Sequence, residues 1–483
     1  MSKIKLSRRA LLGCAPAVMV AAATSPYLFS GTPAHAASSS PLASGVASLT
    51  ESIERAFTFQ NFMMDAYATG STVRLSQSYS DNGLLSTAFT YDQAVTIHAY
   101  LASGNPALLD RAIILGEGLL YGQAHAFPFL INDGRFPQAF FVSQPATDGS
   151  GAYVQPAAAP FYFYSSSVGD QAWAGMALAQ LYARTGQTRF LDAALLVANW
   201  IVSNTYDTTG PGGYKFGTVI AYINFQNVSQ PSTNGKSTEH NIDTYAFFTM
   251  LSKLTHNAEA AEMGMTWSQL AEHAFNFVMA MYNPAGPYFY TGTQGDQVTI
   301  NPYPIPEDCQ TWSYLALLKN KYRGTIDWAL QNLEATDTAS APHSSLTGTE
   351  RIHGMVFDSA SLKPTIPNAD PQAVWLEGTG HMIAALVARV LRGKDNVFSL
   401  FSDLETAYGL LQQSMLAQAE LGVGQTVGGK PIPQGDGLVA ATSVMDTGFG
   451  YTYGPSLHIG ATGWYLLGAL GASPFQLGYR VVG

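Results

Sequence analysis

Six stretches of the chain open with polar or acidic residues and continue as apolar runs. The sequence STEHNIDTYAFFTML, residues 237–251, shows the pattern best, because every titratable group lies near its start. A helix with such a distribution cannot face water along most of its length. The pattern therefore predicts six buried helices, which open at residues 90–93, 168–171, 237–240, 307–310, 375–378 and 456–459.

The spacing of these openings is nearly regular. Asp170, Glu239, Asp308 and Glu377 follow one another at intervals of 69 residues. Asp92 and His458 mark the first and last openings at slightly longer intervals. Each interval has room for two helices and two loops, so the chain is predicted to repeat one helical hairpin six times.

A second set of segments carries charges on one side of an apolar stripe at helical spacing, which is typical of exposed amphipathic helices. These segments are Leu49–Tyr67, Leu108–Gln123, Arg189–Asn204, Trp267–Tyr282, Tyr322–Glu334 and Phe398–Gln418. Inner and outer helices then alternate around a ring. The predicted fold is all-α, a toroid of six inner and six outer helices, and the toroid forms one domain over residues 49–483.

The first residues have the character of an export signal. Basic residues, including Arg8 and Arg9, precede an apolar run over residues 10–23, and Ala34 and Ala36 fit a signal peptidase site. The paired arginines resemble the twin-arginine class. We therefore expect a signal at 1–36, a flexible segment at 37–48, and a periplasmic or secreted protein with no stable membrane insertion after cleavage. A lipid anchor at Cys14 and a retained membrane anchor are the alternatives.

The net charge and the cysteine content limit the kinds of ligand and metal site that are possible. The net charge is −10, and the predicted signal contributes only basic residues, so nucleic acid is an improbable ligand. A neutral substrate fits better than a polyanionic one. Only Cys309 remains after signal removal, which excludes an internal disulfide and a cysteine-based zinc site. We expect no cofactor and no metal, although a calcium ion is left open.

If the inner helices run parallel, their polar openings converge on one rim. Carboxylates, amides and flat aromatics would gather there, as a sugar chain requires. The predicted substrate-binding residues are Tyr91, Gln171, Trp173, His240, Asn241, Asp243, Asp308, Gln310, Trp312, Trp375, His381, His458 and Trp464.

Four carboxylates are the predicted catalytic residues: Glu239 first, then Glu377, Asp170 and Asp92. Cleavage of a glycosidic bond needs one carboxylic acid and a second carboxylate, and crowding raises the pKa of one member. The alternative for each is that it only caps its helix. The aromatic loop from Asp133 to Tyr164 is expected to cover the rim or to pack against the first hairpins. The segment from Gly422 to Gly454 could cover the opposite side.

The six-fold series and the motifs TEHNID, WLEGTGH and HIGATGWY resemble those of the six-hairpin, (α/α)6-toroid carbohydrate-active enzymes. This resemblance covers nearly the whole predicted mature chain and implies an active site at the rim. It does not identify which acids act, and it does not assign a particular family.

The function expected from this resemblance is hydrolysis of a poly- or oligosaccharide. A polysaccharide lyase is less favoured because Lys236 and Arg135 are the only obvious cations near the rim motifs. A sugar epimerase, with His240 and His381 as acid and base, is a further alternative. A non-catalytic glycan-binding protein of exopolysaccharide assembly or export would use the same aromatic residues without a matched acid pair.

Overall fold

The structure is a computed structural model, and it describes residues 47–125, 133–156, 165–223, 226–230, 235–261, 263–393 and 397–481. For residues 218–223, 226–230 and 397 only the backbone is described. The predicted export signal lies outside these ranges, so the expected cleavage site and localisation stay predictions. No helix of the described residues is both long enough and apolar enough to cross a bilayer.

Six buried helices form the inner ring. They are α2 (Thr90–Ala102), α4 (Val168–Thr185), α6 (Thr238–Leu254), α8 (Asp308–Leu317), α10 (Leu376–Arg392) and α12 (Ile459–Leu470). Each packs against the next, and α12 packs against α2, so the ring is closed. Helix α10 buries every residue from Leu376 to Val390. The apolar runs predicted as buried helices are confirmed.

Six outer helices surround this ring. They are α1 (Leu49–Met64), α3 (Pro106–His125), α5 (Thr188–Thr205), α7 (Trp267–Ala280), α9 (Gly324–Asn332) and α11 (Val397–Glu420). Helices α3, α5, α7, α9 and α11 each pack on the inner helix that precedes them in the chain. Helix α1 packs on α12, so the first and last helices of the series meet and the sixth hairpin is completed. The all-α toroid is confirmed.

Local sequence explains where the inner helices begin and end. Ser167 and Ser237 are N-caps whose hydroxyls accept the backbone N–H of Asp170 and His240. Gly186, Gly393 and Gly471 follow the last helical residues of α4, α10 and α12 in the left-handed conformation. Polar caps at the starts keep hydrophilic side chains at one end of the ring.

The same end carries a repeated clamp on the loop that precedes each helix. Gln171 accepts the Phe136 N–H at 2.7 Å and donates to the Phe136 carbonyl at 3.0 Å. Gln93 does the same with Ser76, Asn241 with Tyr214 and Gln310 with Phe289. Thr379 and Thr462 accept a backbone N–H at the corresponding places in α10 and α12. One polar side chain per inner helix therefore fixes the loops of the rim.

The connections contain short antiparallel strands that the helical pattern did not predict. They are β1 (Thr87–Phe89), β2 (Ala139–Phe141), β3 (Gln155–Pro156), β4 (Ser166–Ser167), β5 (Gly217–Ile223), β6 (Gln226–Gln230), β7 (Tyr282–Asn283), β8 (Tyr288–Phe289), β9 (Gly292–Thr293), β10 (Ile300–Asn301), β11 (Glu334–Thr338), β12 (Arg351–Met355), β13 (Thr426–Val427), β14 (Lys430–Pro431), β15 (Met445–Asp446) and β16 (Thr452–Tyr453). They form two three-stranded sheets, in the orders β1-β2-β3 and β4-β5-β6, and five two-stranded ribbons. Strands β1 and β4 lead directly into α2 and α4, so both sheets lie at the clamped end.

The aromatic loop after α3 is described only in part. Phe136 and Phe140 are buried, and β2 pairs with β1 just before α2. An added Cβ on Gly122 of α3 would lie 2.6 Å from the Phe140 ring, so this ring packs closely on the outer helix. The described part therefore sits at the rim and packs into the first hairpins, while residues 157–164 lie outside the described residues.

Candidate active site

A buried carboxylate from α10 occupies the centre of the clamped end. Tyr91 Oη donates to Glu377 Oε1 at 2.5 Å, and Trp464 Nε1 donates to Tyr91 Oη at 2.7 Å. His381 Nε2 lies 3.8 Å from Glu377 Oε1, and His458 Nδ1 lies 3.7 Å from Oε2. The first inner helix and the last two thus meet at Glu377.

The charge of Glu377 is set by these neighbours. Burial raises its pKa, but contact with His381, the charge of His458 and the Tyr91 hydroxyl outweigh burial and hold the pKa below the usual value for a glutamate. His381 Nδ1 contacts Glu307 Oε2 at 3.0 Å. Burial lowers the pKa of His381, yet its hydrogen bond to Glu307 and its contact with Glu377 raise it to about 8. Glu377 is therefore ionised at neutral pH.

His458 links this centre to a second carboxylate. Its Nε2 lies 3.1 Å from Asp92 Oδ2, and its ring stacks on Tyr79 with centroids 4.2 Å apart. In its neutral form His458 also caps α12, since the Ala461 N–H then donates to its Nδ1 at 3.2 Å. Burial lowers the pKa of His458, but the nearby charges of Asp92 and Glu377 raise it above its ordinary value. Asp92 thereby positions the histidine that faces Glu377.

Three carboxyls with the opposite electrostatic character come from α4, α6 and α8. Burial raises the pKa of Glu239 well above its usual value, and the charges of Asp308, Asp170 and Glu377 add to the rise. Burial likewise raises the pKa of Asp170 to about 7 and that of Asp308 to about 6. The surroundings of Glu239 thus favour the protonated, neutral form of its carboxyl.

The immediate contacts of these carboxyls differ. Asp170 accepts the Ser167 hydroxyl at 2.7 Å, and Asp308 accepts the N–H of Cys309. The Glu239 carboxyl is partly exposed and makes no hydrogen bond with the described residues. A protonated, accessible and unengaged carboxyl is suited to donate a proton to a bound ligand.

Asp243 lies one helical turn below Glu239 in α6. It is fully buried, and neither of its oxygens forms a hydrogen bond within the described part of the chain. Burial and the charges of Glu239 and Asp308 raise its pKa well above normal, and the Trp173 indole opposes this rise although no well-formed hydrogen bond joins them. The surroundings of Asp243 therefore favour its protonated form, and its place in α6 is one turn deeper than that of Glu239.

The predicted tryptophan platforms require correction. Trp173, Trp312 and Trp464 are each no more than 2% exposed and pack with Phe475 as a plug at the centre of the ring. Trp375 is also buried and stacks on Tyr453. Along the ring axis these rings lie level with the carboxyls or deeper than them. They pack into the core and do not face the mouth of the ring. Trp464 also donates its N–H to Tyr91, which in turn donates to Glu377.

The predicted hydrogen-bonding amides also have a different role. Both ends of the Gln171, Asn241 and Gln310 side chains are bonded to the loop backbone, so the amides hold the rim rather than offer groups to a sugar. His240 packs under Phe216, and burial lowers its pKa to about 4. A neutral His240 on this side of the ring does not pair with the distant His381–Glu307 unit.

Several rim residues were missing from the predicted site. Glu307 bonds His381, Tyr79 stacks on His458, and Tyr451 and Tyr453 come from the β15–β16 hairpin. The predicted cover at residues 422–454 contained this hairpin, but no spacing singled out its tyrosines. Among the described residues, no group of three His, Cys, Asp or Glu side chains is arranged to hold a metal ion.

The raised pKa values predict lower stability at higher pH. Asp170 and His381 bind protons more tightly in the folded state than in the unfolded state. Their contributions are complete below the unfolded pKa values, near 3.8 for Asp170 and 6.5 for His381, and are lost as pH rises through about 7 and about 8. We expect thermal denaturation, followed by circular dichroism, to give a lower Tm at about pH 8 than at about pH 5.

Asp170→Asn should reduce the decrease in Tm with rising pH, because an amide does not ionise. Asp110→Asn is the matched control, since Asp110 is exposed on α3. A profile of Tm against pH that is the same in wild type and Asp170→Asn would contradict the assignment of a raised pKa to Asp170.

Comparison with known proteins gives the fold but no sequence family. No protein-family model and no curated protein sequence matches this chain. A sugar epimerase from a ruminal bacterium is similar over 87% of this chain and 98% of its own, with a TM-score of 0.54 and 12% identity. An α-mannanase of glycoside hydrolase family 76 from Bacteroides thetaiotaomicron covers 88% of this chain and 96% of its own, with a TM-score of 0.52 and 11% identity.

An unsaturated glucuronyl hydrolase specific for heparin is similar over 87% of this chain and 95% of its own, with a TM-score of 0.53 and 11% identity. These proteins are carbohydrate-active enzymes with different reactions. At such identities the likeness establishes the (α/α)6 toroid alone, so the reaction has to be argued from the site.

Proposed function

We propose that this chain is a glycoside hydrolase in which Glu239 is the general acid and Glu377 is the paired carboxylate. The observation that carries the proposal is the opposite shift of their pKa values at one end of the ring. Burial and neighbouring acids keep Glu239 protonated, whereas two histidines and Tyr91 keep Glu377 ionised. Glycosidic cleavage needs these two protonation states together at one pH.

In the proposed reaction, Glu239 protonates the glycosidic oxygen as the bond to the anomeric carbon breaks. Glu377 stabilises the positive charge that develops on the sugar ring and acts at the anomeric carbon, either directly or through a water molecule. Among the described residues its Oε2 has no hydrogen-bond partner, and His458 Nδ1 lies 3.7 Å away. Asp170 and Asp308 maintain the high pKa of the acid through their charges.

The substrate is proposed to be a poly- or oligosaccharide without uronic acid groups. Eight carboxyl side chains lie in or around the ring mouth: Asp92, Asp170, Glu239, Asp243, Glu307, Asp308, Asp358 and Glu377. Lys236, a cation considered near the rim, is held by Asp207 at 2.7 Å and by the Thr209 carbonyl at 2.8 Å. A uronate would meet the ionised Glu377 and would find Lys236 already paired, and this argues against a polysaccharide lyase.

A sugar epimerase is the second candidate, and one observation favours it. Two imidazoles with raised pKa values, those of His381 and His458, flank Glu377. They replace the predicted pair of His240 and His381. We rank this activity second because each ring is already engaged by another carboxylate, His381 by Glu307 and His458 by Asp92. Export through a twin-arginine-type signal, to the periplasm or outside the cell, remains part of the proposal.

The test is an assay of the purified mature protein on a panel of neutral and uronate-containing glycans, with three readouts. Release of reducing ends without ultraviolet-absorbing unsaturated sugar supports hydrolysis. Unsaturated product would indicate a lyase. Deuterium incorporation from heavy water into a recovered sugar, without chain cleavage, would indicate an epimerase. Binding without any of these products would overturn the catalytic proposal and favour a glycan-binding role.

A further inference from the structure

Asp358 is a buried carboxyl that the reaction proposed above does not use. It lies on a segment that runs antiparallel to the residues before α8, since Pro306 and Asp358 form a β-bridge and Ile305 accepts the Ser359 N–H. Its Oδ1 accepts the N–H groups of Ala360 at 2.7 Å and Ser361 at 3.0 Å. The backbone therefore holds Asp358 opposite Pro306, which lies two residues before the start of α8.

The second oxygen of this carboxyl has no partner. Asp358 is fully buried, and its Oδ2 accepts no hydrogen bond from the described residues. Burial and the charge of Asp308 raise the pKa of Asp358 to about 7 despite the bonds to Oδ1. A buried polar atom left without a partner costs about 1–3 kcal/mol, so such an atom points to a ligand that completes its bonding.

The β15–β16 hairpin places aromatic rings beside this oxygen. Gly448 lies in the hairpin loop with φ of 70°, and an added Cβ there would lie 2.9 Å from Asp358 Oδ2. Phe449 and Tyr451 follow it, and both are 48% exposed. The charges of Glu239, Asp308 and Asp358 all act to raise the pKa of Tyr451, so its hydroxyl lies near all three carboxyls.

The hairpin is held firmly from below. Asp446 Oδ2 accepts the N–H groups of Thr365 at 2.7 Å and Ile366 at 2.9 Å, while its Oδ1 accepts the Gly448 N–H at 2.8 Å. The carbonyl of Tyr451 accepts from the Thr447 hydroxyl at 2.8 Å. Two exposed rings on an anchored hairpin form a fixed apolar surface at the ring mouth.

We propose that Asp358, Phe449 and Tyr451 form an additional sugar subsite beside Glu239, where one pyranose ring stacks on Tyr451 and a hydroxyl bonds to Asp358 Oδ2. The inference rests on the proposed glycan substrate and names the residues that hold one unit of it. Aromatic faces pack against the C–H faces of pyranose rings. A hydroxyl can both donate to and accept from a carboxyl group, so it suits Asp358 in either protonation state.

The test measures binding separately from turnover. Glu239→Gln serves as the parent protein, and isothermal titration with mannotriose, cellotriose and maltotriose gives Kd values. We expect at least one trisaccharide to bind. Tyr451→Ala in this parent should then weaken Kd about 10-fold, and Asp358→Asn should weaken it roughly 5-fold or more. Phe398→Ala is the control, because Phe398 is 86% exposed on the outer helix α11.

Gly448→Ala perturbs the Asp358 carboxyl without replacing it, since the added methyl would press on Asp358 Oδ2. Thermal melts check that every variant is folded. Kd values unchanged in both Tyr451→Ala and Asp358→Asn would overturn the subsite, as would failure of all three trisaccharides to bind the parent. Subsite-dependent binding without turnover by the wild type would support the subsite and refute the hydrolase. Turnover by the wild type, together with Kd values that neither substitution changes, would support the hydrolase and refute the subsite.

Discussion

Replacement of Glu239 by Gln is expected to lower kcat/KM for a natural glycan about 10²- to 10⁴-fold, the usual contribution of a general acid. Glutamine keeps the size and polarity of the side chain but cannot transfer a proton. Since the Glu239 carboxyl makes no hydrogen bond with the described residues, its replacement leaves the rim intact. Initial rates of reducing-sugar release, measured beside trisaccharide affinity, give the result.

An activated aryl glycoside sharpens this experiment. Its leaving group departs without protonation, so Glu239→Gln should retain most of its activity on such a substrate while it loses activity on the natural one. Glu272→Gln is the matched control, because Glu272 is exposed on the outer helix α7. Equal losses on both substrates would contradict the role of Glu239 as an acid, and no loss on either would exclude Glu239 from catalysis.

The ring could be predicted from the sequence because burial imposes a composition. A helix enclosed by others must be apolar almost throughout, as the run from Leu376 to Val390 is, and an outer helix must be apolar on one side only. The three successive intervals of 69 residues between Asp170 and Glu377 then fix one hairpin per repeat. The first of the six outer helices, α1, comes before any inner helix in the chain. It is therefore left to pair with the last inner helix, α12, and this pairing closes the ring.

The position of the site could also be predicted, since polar residues cluster where the inner helices begin. Their individual roles could not, because role depends on depth along the ring axis. Trp173 follows Asp170 by three residues, and Trp312 follows Asp308 by four, so each ring lies on the same face as an acid but one turn deeper. One turn, about 5.4 Å, separates the mouth from the central plug.

Loop residues were harder to place for a different reason. Asp358 and Tyr451 lie in connections with no helical period, and they meet Asp308 only through a β-bridge and a hairpin that join distant parts of the chain. Gln171 is a residue that the sequence wrongly assigned to the ligand, because it lies beside Asp170 in the chain. Its bonds to Phe136 became visible only once the loop backbone was placed beside it.

Replacement of Glu377 by Gln is expected to abolish turnover and to destabilise the fold by about 3–5 kcal/mol, the usual effect of removing one partner from a buried charged pair. The change leaves His381 and His458 without the negative charge that they share, and it weakens the acceptor of the Tyr91 hydroxyl. Urea unfolding of wild type and variant gives the difference in the free energy of unfolding.

The pH dependence of that difference separates an electrostatic role from simple packing. Glu377 has a lowered pKa, so its contribution is present above the ordinary pKa of a glutamate and is lost as pH falls below it. His381 contributes below about 6.5, and its contribution is lost as pH rises through about 8. The difference between wild type and Glu377→Gln should therefore be largest between about pH 5 and 7 and shrink on both sides.

Tyr91→Phe is the comparison for this experiment, since it removes one hydrogen bond from Glu377 but leaves its charge next to both histidines. Its cost should be smaller, about 1.5–3 kcal/mol, as for a hydrogen bond to a charged group. A destabilisation by Glu377→Gln that is constant from about pH 4 to 9 would mean that the carboxyl only fills space. In that case the ionised partner in glycosidic cleavage would have to be sought among Asp92, Asp170 and Asp308.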